Sequence, residues 1–512
     1  MLIKVFGAAV QGIDATLITI EVNSSRGCMF YLVGLPDSAV KESHQRIISA
    51  LQVNGYRMPT SNIVINMAPA DIRKEGAAYD LPLAIGILAA SEVIQSDKLE
   101  RYLLMGELSL DGSLQPIKGA LPIAIKAREL GFEGMIVPQQ NAHEAAVVNN
   151  LKVYGAGNIK EVIEFFNGTQ ELTPTLVNTR EEFYSQQSNF DFDFAEVKGQ
   201  ENVKRALEVA ASGSHNILLI GSPGSGKSML AKRLPSILPP LSLGESLETT
   251  KIHSVAGKLG KDGGLISKRP FRAPHHTIST VAMTGGGSFP QPGEISLAHN
   301  GILYLDELPE YSRNVLEVLR QPLEDRKITV SRIRCNVEYP ASFMLVASMN
   351  PCPCGYYTHP TKACVCSPGQ VQKYLNRISG PLLDRIDLQI EFTPLPFEEM
   401  ADSRPGESSA TIRERVIRAR QIQEARYADI PGIYCNAQMN SKLLARHARP
   451  NDKGLAMLKT AMNRLNLSAR AYDRILKVSR TIADLEGCEL IQPAHLAEAI
   501  GYRNLDREDW AG

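Results

Sequence analysis

Residues 216–234, NILLIGSPGSGKSMLAKRL, hold the decisive pattern. His215 to Ile220 reads as a buried strand, the run Gly221-Ser222-Pro223-Gly224-Ser225-Gly226 as a tight loop, and Lys227-Ser228-Met229 as the opening of a helix. Strand, loop and helix together match GxxxxGK[ST], in which backbone N–H groups and the positive helix end surround phosphate oxygens. The spacing therefore predicts ATP on the loop from Gly221 to Met229, with Lys227 at the β- and γ-phosphates and Ser228 at a magnesium ion.

Some eighty residues downstream, Gly301-Ile-Leu-Tyr-Leu-Asp306-Glu307 is an apolar strand ending in two carboxylates, an arrangement a closed core avoids. Asp306 is expected to hold the magnesium ion through water and Glu307 to polarise an attacking water. The strand Ser342 to Ser348 leads to Asn350, placed to orient that water. Arg385, in GPLLDRIDLQIE, reads either as an arginine finger reaching a neighbouring subunit or as half of an internal pair with Asp384 or Asp387. Arg470 opens a helix and is the candidate to touch the γ-phosphate from the C-terminal side.

Outward from this centre the chain divides. Its 512 residues suit about three domains of ordinary size. Residues 1–172 mix strands (Ala15 to Val22, Asn62 to Met67, Met135 to Pro138) with helices (Asp37 to Val53, Lys118 to Leu130), an α+β pattern. Residues 173–191 carry little periodicity and read as a linker. Residues 192–396 form the nucleotide-binding α/β core, and 397–512 carry only helical spacing, in Thr411 to Tyr427, Ser441 to Ala448, Asn451 to Leu465, Ser468 to Leu485 and Pro493 to Ile500. The fold expected is a multidomain α/β chain with a C-terminal helical lid.

Composition narrows the partners. With 55 basic and 55 acidic residues there is no overall pull toward nucleic acid or anionic membrane, so any such attraction is local. The longest strongly apolar stretch, Leu81 to Ala90, is too short to cross a bilayer, and no signal core is visible, so the expected location is the cytoplasm. Two local basic segments stand out. Lys251, Lys258, Lys261, Lys268, Arg269 and Arg272 face one acid, Asp262; Arg326, Lys327, Arg332 and Arg334 flank a predicted hairpin without an acid between them. Lys268, Arg269, Arg272, Lys327, Arg332 and Arg334 are the expected phosphate-backbone contacts on DNA. Finally, Cys352-Pro-Cys354 and Cys364-Val-Cys366 place four thiols where tetrahedral zinc can be held, with unliganded reduced thiols as the alternative.

The residues from the phosphate loop to Arg470, in this order, resemble an AAA+ ATPase, and the long segment between Ala231 and Gly301 resembles the helix-2-insert clade of magnesium-chelatase motors and replicative helicases. The strings FRAPHHTISTVAMTGGG (271–287), GEISLAHNGILYLDELPEY (293–311), RQPLEDRKITVSR (320–332) and YLNRISGPLLDRIDLQIE (374–391) resemble the YifB/ComM family. That resemblance implies a homohexameric, ATP-driven DNA helicase promoting branch migration of recombination intermediates in natural transformation, on single-stranded, duplex or branched DNA, with a recombinase as candidate partner. It also assigns Asn350 as sensor one, Arg385 as the finger, Arg470 as sensor two, and Val197-Lys-Gly199-Gln200 as the segment flanking the adenine. The N-terminal domain resembles the Lon-protease fold through INMAPADIRKEGAAYDLPLA (65–84) and GELSLDGSLQPIKGALPIAIKA (106–127). Gly76-Ala77-Ala78-Tyr79 stands where such proteases carry a serine, and Leu121 or Pro122 where they carry a lysine, so no acyl-enzyme route is expected. The competing function is a protein-remodelling or metal-chelatase-like motor.

Overall fold

The computed structural model describes residues 2–260, 263–287, 290–332, 335–357, 359–394, 405–465 and 467–503. They fall into two compact units, one of Met1–Gln186, Leu243–Ser267 and Pro290–Pro292, the other of Gln187–Ser242, Lys268–Phe289 and Gly293–Gly512.

In the first unit, β1 (Leu2–Gln11) and β2 (Asp14–Ser25) pair antiparallel from Leu2↔Asn23 to Gln11↔Asp14, a register that buries Val5, Ile18, Ile20 and Val22. With β3 (Phe30–Val33), β4 (Asn62–Ala68), β5 (Tyr102–Leu104), β6 (Gly134–Pro138) and β7 (Lys152–Ala156) they form one sheet, ordered β3-β4-β2-β1-β5-β6-β7. The apolar stretch near residue 81 becomes the helix Asp80–Ala90, buried at every position, as a helix without a polar face must be. Its single carboxylate, Asp80, is held by Arg46 through two hydrogen bonds of 2.6 and 2.8 Å. Among the described residues no helix is long and apolar enough to cross a membrane. Tyr79 donates its hydroxyl to Ala8 O at 3.1 Å, and Leu121 and Pro122 are buried in the helix Ala120–Glu129.

Two boundaries differ from the reading of the sequence. The stretch 173–191 contains a helix, Thr179–Gln186, anchored by the buried Phe183; one large apolar side chain in a polar run is too weak a periodic signal to reveal it. The segment 243–267, placed by sequence in the α/β core, belongs to the first unit: Lys251 pairs with Asp14 at 2.9 Å, Ser254 donates to the buried Glu144, and Leu247 and Leu265 pack on that unit's core.

The second unit is built on a five-stranded sheet. β8 (Ile217–Ile220), β9 (Phe271–Arg272), β10 (Ile302–Leu305), β13 (Met344–Met349) and β14 (Leu388–Glu391) run parallel in the order β9-β10-β13-β8-β14, while β11 (Lys327–Arg332) and β12 (Cys335–Pro340) form a separate antiparallel hairpin. The central strands β8, β10 and β13 are buried throughout, the burial expected of strands covered on both faces. The helices Ser409–Tyr427, Ser441–His447, Asp452–Arg464, Ala469–Leu485 and Pro493–Gly501 follow, four of them capped by Ser408, Asn440, Asn451 and Ser468 through side-chain bonds to backbone N–H groups.

Sheet and helices are tied together at Asp387, which is 1% exposed. Its carboxylate accepts from Asn216 N–H (2.9 Å) at the start of β8 and from Arg474 (2.9 Å) on the helix Ala469–Leu485, with the His215 ring 3.5 Å away. Burial alone would raise this carboxyl's pKa, but Arg474 and His215 outweigh it and hold the group well below the usual carboxylate range. Because the folded-state pKa is depressed, the contribution to stability is complete above about pH 5 and is lost as the pH falls through the acid range. Replacing Asp387 by Asn takes the counter-charge from the partly buried Arg474 and breaks a pair whose acid is fully buried, and is expected to cost about 3 kcal/mol. Urea unfolding followed by circular dichroism should show a lower midpoint and a shallower acid limb; an unchanged midpoint would remove Asp387 as the tie.

Candidate functional site

Parallel strands bring the residues that follow them to one edge of the sheet. Gly221 follows β8, Asp306 follows β10, Asn350 follows β13 and Phe392 follows β14, so four distant segments meet there. The loop between β8 and the helix Lys227–Arg233 turns at Gly224 (φ 79°) and Gly226 (φ 91°), conformations that L side chains rarely adopt.

Lys227, 9% exposed, extends its ammonium back over this loop. It donates to Gly221 O (2.8 Å), Ser222 O (2.9 Å) and Asn350 Oδ1 (3.2 Å). Burial lowers its pKa, and the nearby Asp306 and Glu307 oppose that shift. Ser228 Oγ donates to Asp306 Oδ2 at 2.9 Å, and Ser348 Oγ donates to Asp306 Oδ1 while accepting from Tyr304 at 3.1 Å. Desolvation raises the pKa of Asp306, but the bonds from Ser348, Ser228 and Tyr304 prevail and keep it below its ordinary value. The site therefore holds a carboxylate that stays ionised next to a hydroxyl at a helix N-terminus.

Glu307 adopts φ 54°, left-handed geometry that costs a non-glycine residue about 1 kcal/mol or more. Its side chain is more than half exposed, with Oε2 3.7 Å from His276 Nδ1. His276, Ser348 and Tyr304 were not singled out from sequence. Alternation gives a signal for one of them, since Ser348 lies two residues before Asn350 and shares its face of the strand.

Gly199 (φ 57°) and Gln200 (φ 59°) form the turn before the helix Glu201–Gly213, with Val197 buried; Gln200 Nε2 reaches Thr393 O at 2.7 Å, just past the end of β14. Met229 lies 41% exposed on the helix after the loop.

Within the single chain both arginines are paired with carboxylates. Arg385 is 7% exposed, ion-paired with Glu324 and bonded to Pro381 O at 2.5 Å. Its partner is neither Asp384 nor Asp387, because Asp384 pairs with Arg470 (2.8 Å) and Asp387 with Arg474. Arg470 is largely exposed at the start of its helix, held by that one pair.

Of the basic candidates, Arg269 directs its guanidinium to the carbonyl oxygens of Pro239 and Asn300, and Arg272 forms a two-bond pair with Glu294 (2.6 and 2.7 Å). Both are built into the second unit, a role that residue counting could not separate from a surface one. Lys327 pairs across the hairpin with Glu338 at 3.0 Å, an acid just beyond the segment counted. Lys268 lies over the Phe190 ring at 5.7 Å. Arg332 closes the strand pairing opposite Cys335, while Lys261 and Arg334 lie outside the described residues. The four sulfurs of Cys352, Cys354, Cys364 and Cys366 converge.

The parallel core, phosphate loop, acidic strand end and helical C-terminal part define an AAA+ protein of the magnesium-chelatase type. The family models described as "Magnesium chelatase, subunit ChlI", "Subunit ChlI of Mg-chelatase" and "Magnesium chelatase, subunit ChlI C-terminal" match residues 193–400, 20–141 and 406–503. The chain is 45% identical to the competence protein ComM of Haemophilus influenzae over 98% of its own length and 97% of that protein's, and 43% identical to the uncharacterized protein YifB of Escherichia coli over 98% and 96%. It is 26% identical to the magnesium-chelatase 38 kDa subunit of Rhodobacter capsulatus over 31% of this chain and 50% of that one. The chain belongs to the YifB/ComM family.

Proposed function

We propose that this chain hydrolyses ATP as a homohexameric DNA translocase of the cytoplasm that promotes branch migration of recombination intermediates, as in natural transformation. The observation that carries the ATPase part is the meeting of Lys227, Ser228, Asp306 and Asn350 at one edge of a parallel sheet, with Lys227 bonded to Asn350 and Ser228 to Asp306. The Ser228 hydroxyl and the ionised Asp306 carboxylate are hard oxygen donors that fit a magnesium ion, which when bound neutralises charge on the β- and γ-phosphates. Lys227 and the loop N–H groups hold the phosphates, Asn350 orients a water, and Glu307 accepts its proton. The assignment to DNA is supported by the similarity to a competence protein along nearly the whole chain and by the basic hairpin β11–β12. Single-stranded, duplex and branched DNA are the candidate substrates, and a recombinase is the candidate partner. The N-terminal domain serves as a ring-forming or DNA-handling scaffold.

The second reading, a protein-remodelling or metal-chelatase-like motor, draws on the magnesium-chelatase models that match the chain. ATPase rates measured without DNA and with each of the three DNA forms separate the two: stimulation by DNA supports the translocase, and indifference to all three supports the remodelling motor.

Lys227→Ala should abolish nucleotide binding, whereas Glu307→Gln should bind ATP normally and hydrolyse it about a hundredfold or more slower. Titration with a fluorescent nucleotide and a phosphate-release assay read the two effects; wild-type affinity in Lys227→Ala would sink the phosphate-loop assignment. For Arg385 to act as a finger in trans it must leave Glu324. If it does, mixing Arg385→Ala with Glu307→Gln restores part of the activity at shared interfaces, and no recovery assigns Arg385 a role within its own subunit.

The hairpin generates a separate expectation. Lys327→Ala with Arg332→Ala should weaken DNA binding alike for unrelated sequences and make its salt dependence shallower, because phosphate contacts carry no base information and each lost cation releases fewer counterions. An unchanged salt slope would move the DNA grip to Lys268.

A further inference from the structure

Cys352 lies two residues beyond Asn350, and its chain doubles back at once. Gly355 N–H bonds to Cys352 O at 3.0 Å, closing a turn over Cys352-Pro-Cys354-Gly355 in which Gly355 takes φ 82°. The turn presents the Cys352 and Cys354 sulfurs to those of the second pair. Sγ–Sγ separations are 3.3 Å for Cys352 and Cys354, 3.7 Å for Cys352 and Cys364, and 3.6 Å for Cys354 and Cys364, and all four sulfurs lie within 4.8 Å of one another. A disulfide needs about 2.05 Å, and all four thiols are free. A tetrahedron with zinc–sulfur bonds of about 2.3 Å has edges of about 3.8 Å, close to these values.

Backbone N–H groups surround the sulfurs. Tyr357 N–H points at Cys352 Sγ (3.3 Å), the N–H groups of Tyr356 and Val365 at Cys354, that of Cys366 at Cys364, and that of Cys354 at Cys366. Each sulfur thus has at least one backbone donor, as bound thiolates do when outer hydrogen bonds set their orientation.

We propose that Cys352, Cys354, Cys364 and Cys366 hold one zinc ion, and that the resulting knot fixes Asn350 against the phosphate loop. The mechanical link is Gly355: a Cβ built there would stand 2.4 Å from Pro223 Cδ, so the knot rests directly on the loop that carries Lys227. The zinc assignment stands by itself; the coupling rests on the ATPase reading above.

The test begins with the full chain purified under reducing, chelator-free conditions. Elemental analysis should give about one zinc per chain, and cobalt exchanged into the site should show the visible spectrum of tetrahedral thiolate coordination. No stoichiometric zinc, or a cobalt spectrum of octahedral oxygen coordination, overturns the site. Cys354→Ser with Cys364→Ser should lose the metal; zinc retained at one per chain in that variant overturns the ligand assignment. Gly355→Ala keeps every sulfur and reads the coupling. It should retain zinc while kcat falls about tenfold or more, the cost of a small misplacement of reacting groups. Unchanged kcat with zinc retained overturns the coupling and leaves the metal site standing, whereas a wild-type chain that binds zinc but cleaves no ATP refutes the ATPase reading alone.

Discussion

Everything at the candidate site follows from the parallel alignment of β8, β10, β13 and β14. Had β8, β10 or β13 run the other way, its following residue would lie at the opposite edge of the sheet, and Gly221, Asp306 and Asn350 would not meet. The alignment is secured by apolar burial along each strand, and the polar groups appear only where the strands end. The price of ending a buried strand in a carboxylate is met locally by the donors Ser228, Ser348 and Glu307 N–H around Asp306.

The same logic recurs between the sheet and the helical part of the second unit. Asp387 is carried by the turn into β14, Asn216 by the turn into β8, and Arg474 by a helix almost ninety residues later in the chain. Arg474 on Asp387 and Arg470 on Asp384 pair across this junction, while Arg385 pairs with Glu324 inside the α/β core. Within the single chain the two arginines that sequence assigns to the nucleotide are each held by a carboxylate, Arg385 by Glu324 and Arg470 by Asp384. Any approach of Arg385 or Arg470 to a phosphate requires exchange of one carboxylate partner for another anion.

What could be read from the sequence was what local periodicity and spacing encode. The phosphate loop, the acidic strand end and the strand leading to Asn350 are each contained in a dozen residues or fewer, and the helices of the C-terminal part announce themselves by spacing and by Ser or Asn caps. The two CxC pairs likewise lie within fifteen residues. What escaped depends on pairs distant in the chain. Glu338 opposite Lys327 and Glu294 beside Arg272 neutralise cations that looked free in a linear count, and Glu324, rather than a neighbouring aspartate, pairs with Arg385. The buried Phe183 turned a supposed linker into a helix, and the affiliation of residues 243–267 is set by contacts with Asp14 and Glu144, more than a hundred positions away.

That last affiliation bears on how the protein is made. Synthesis proceeds from the N-terminus, and domains fold as units once their residues have emerged. The first unit cannot complete itself when residue 186 leaves the ribosome, because the helix Leu243–Ala256 has yet to be translated. Until it arrives, the buried Glu144 lacks the donor Ser254 and keeps only Leu121 N–H and Asn141, and the surface that receives Leu247 and Leu265 stays open to water. The strand and phosphate loop of the second unit, residues 217–228, are therefore translated inside the waiting period of the first. The nascent chain must hold two unfinished cores at once, so the order in which they close is written into the connectivity and separates this chain from one whose domains follow each other like beads.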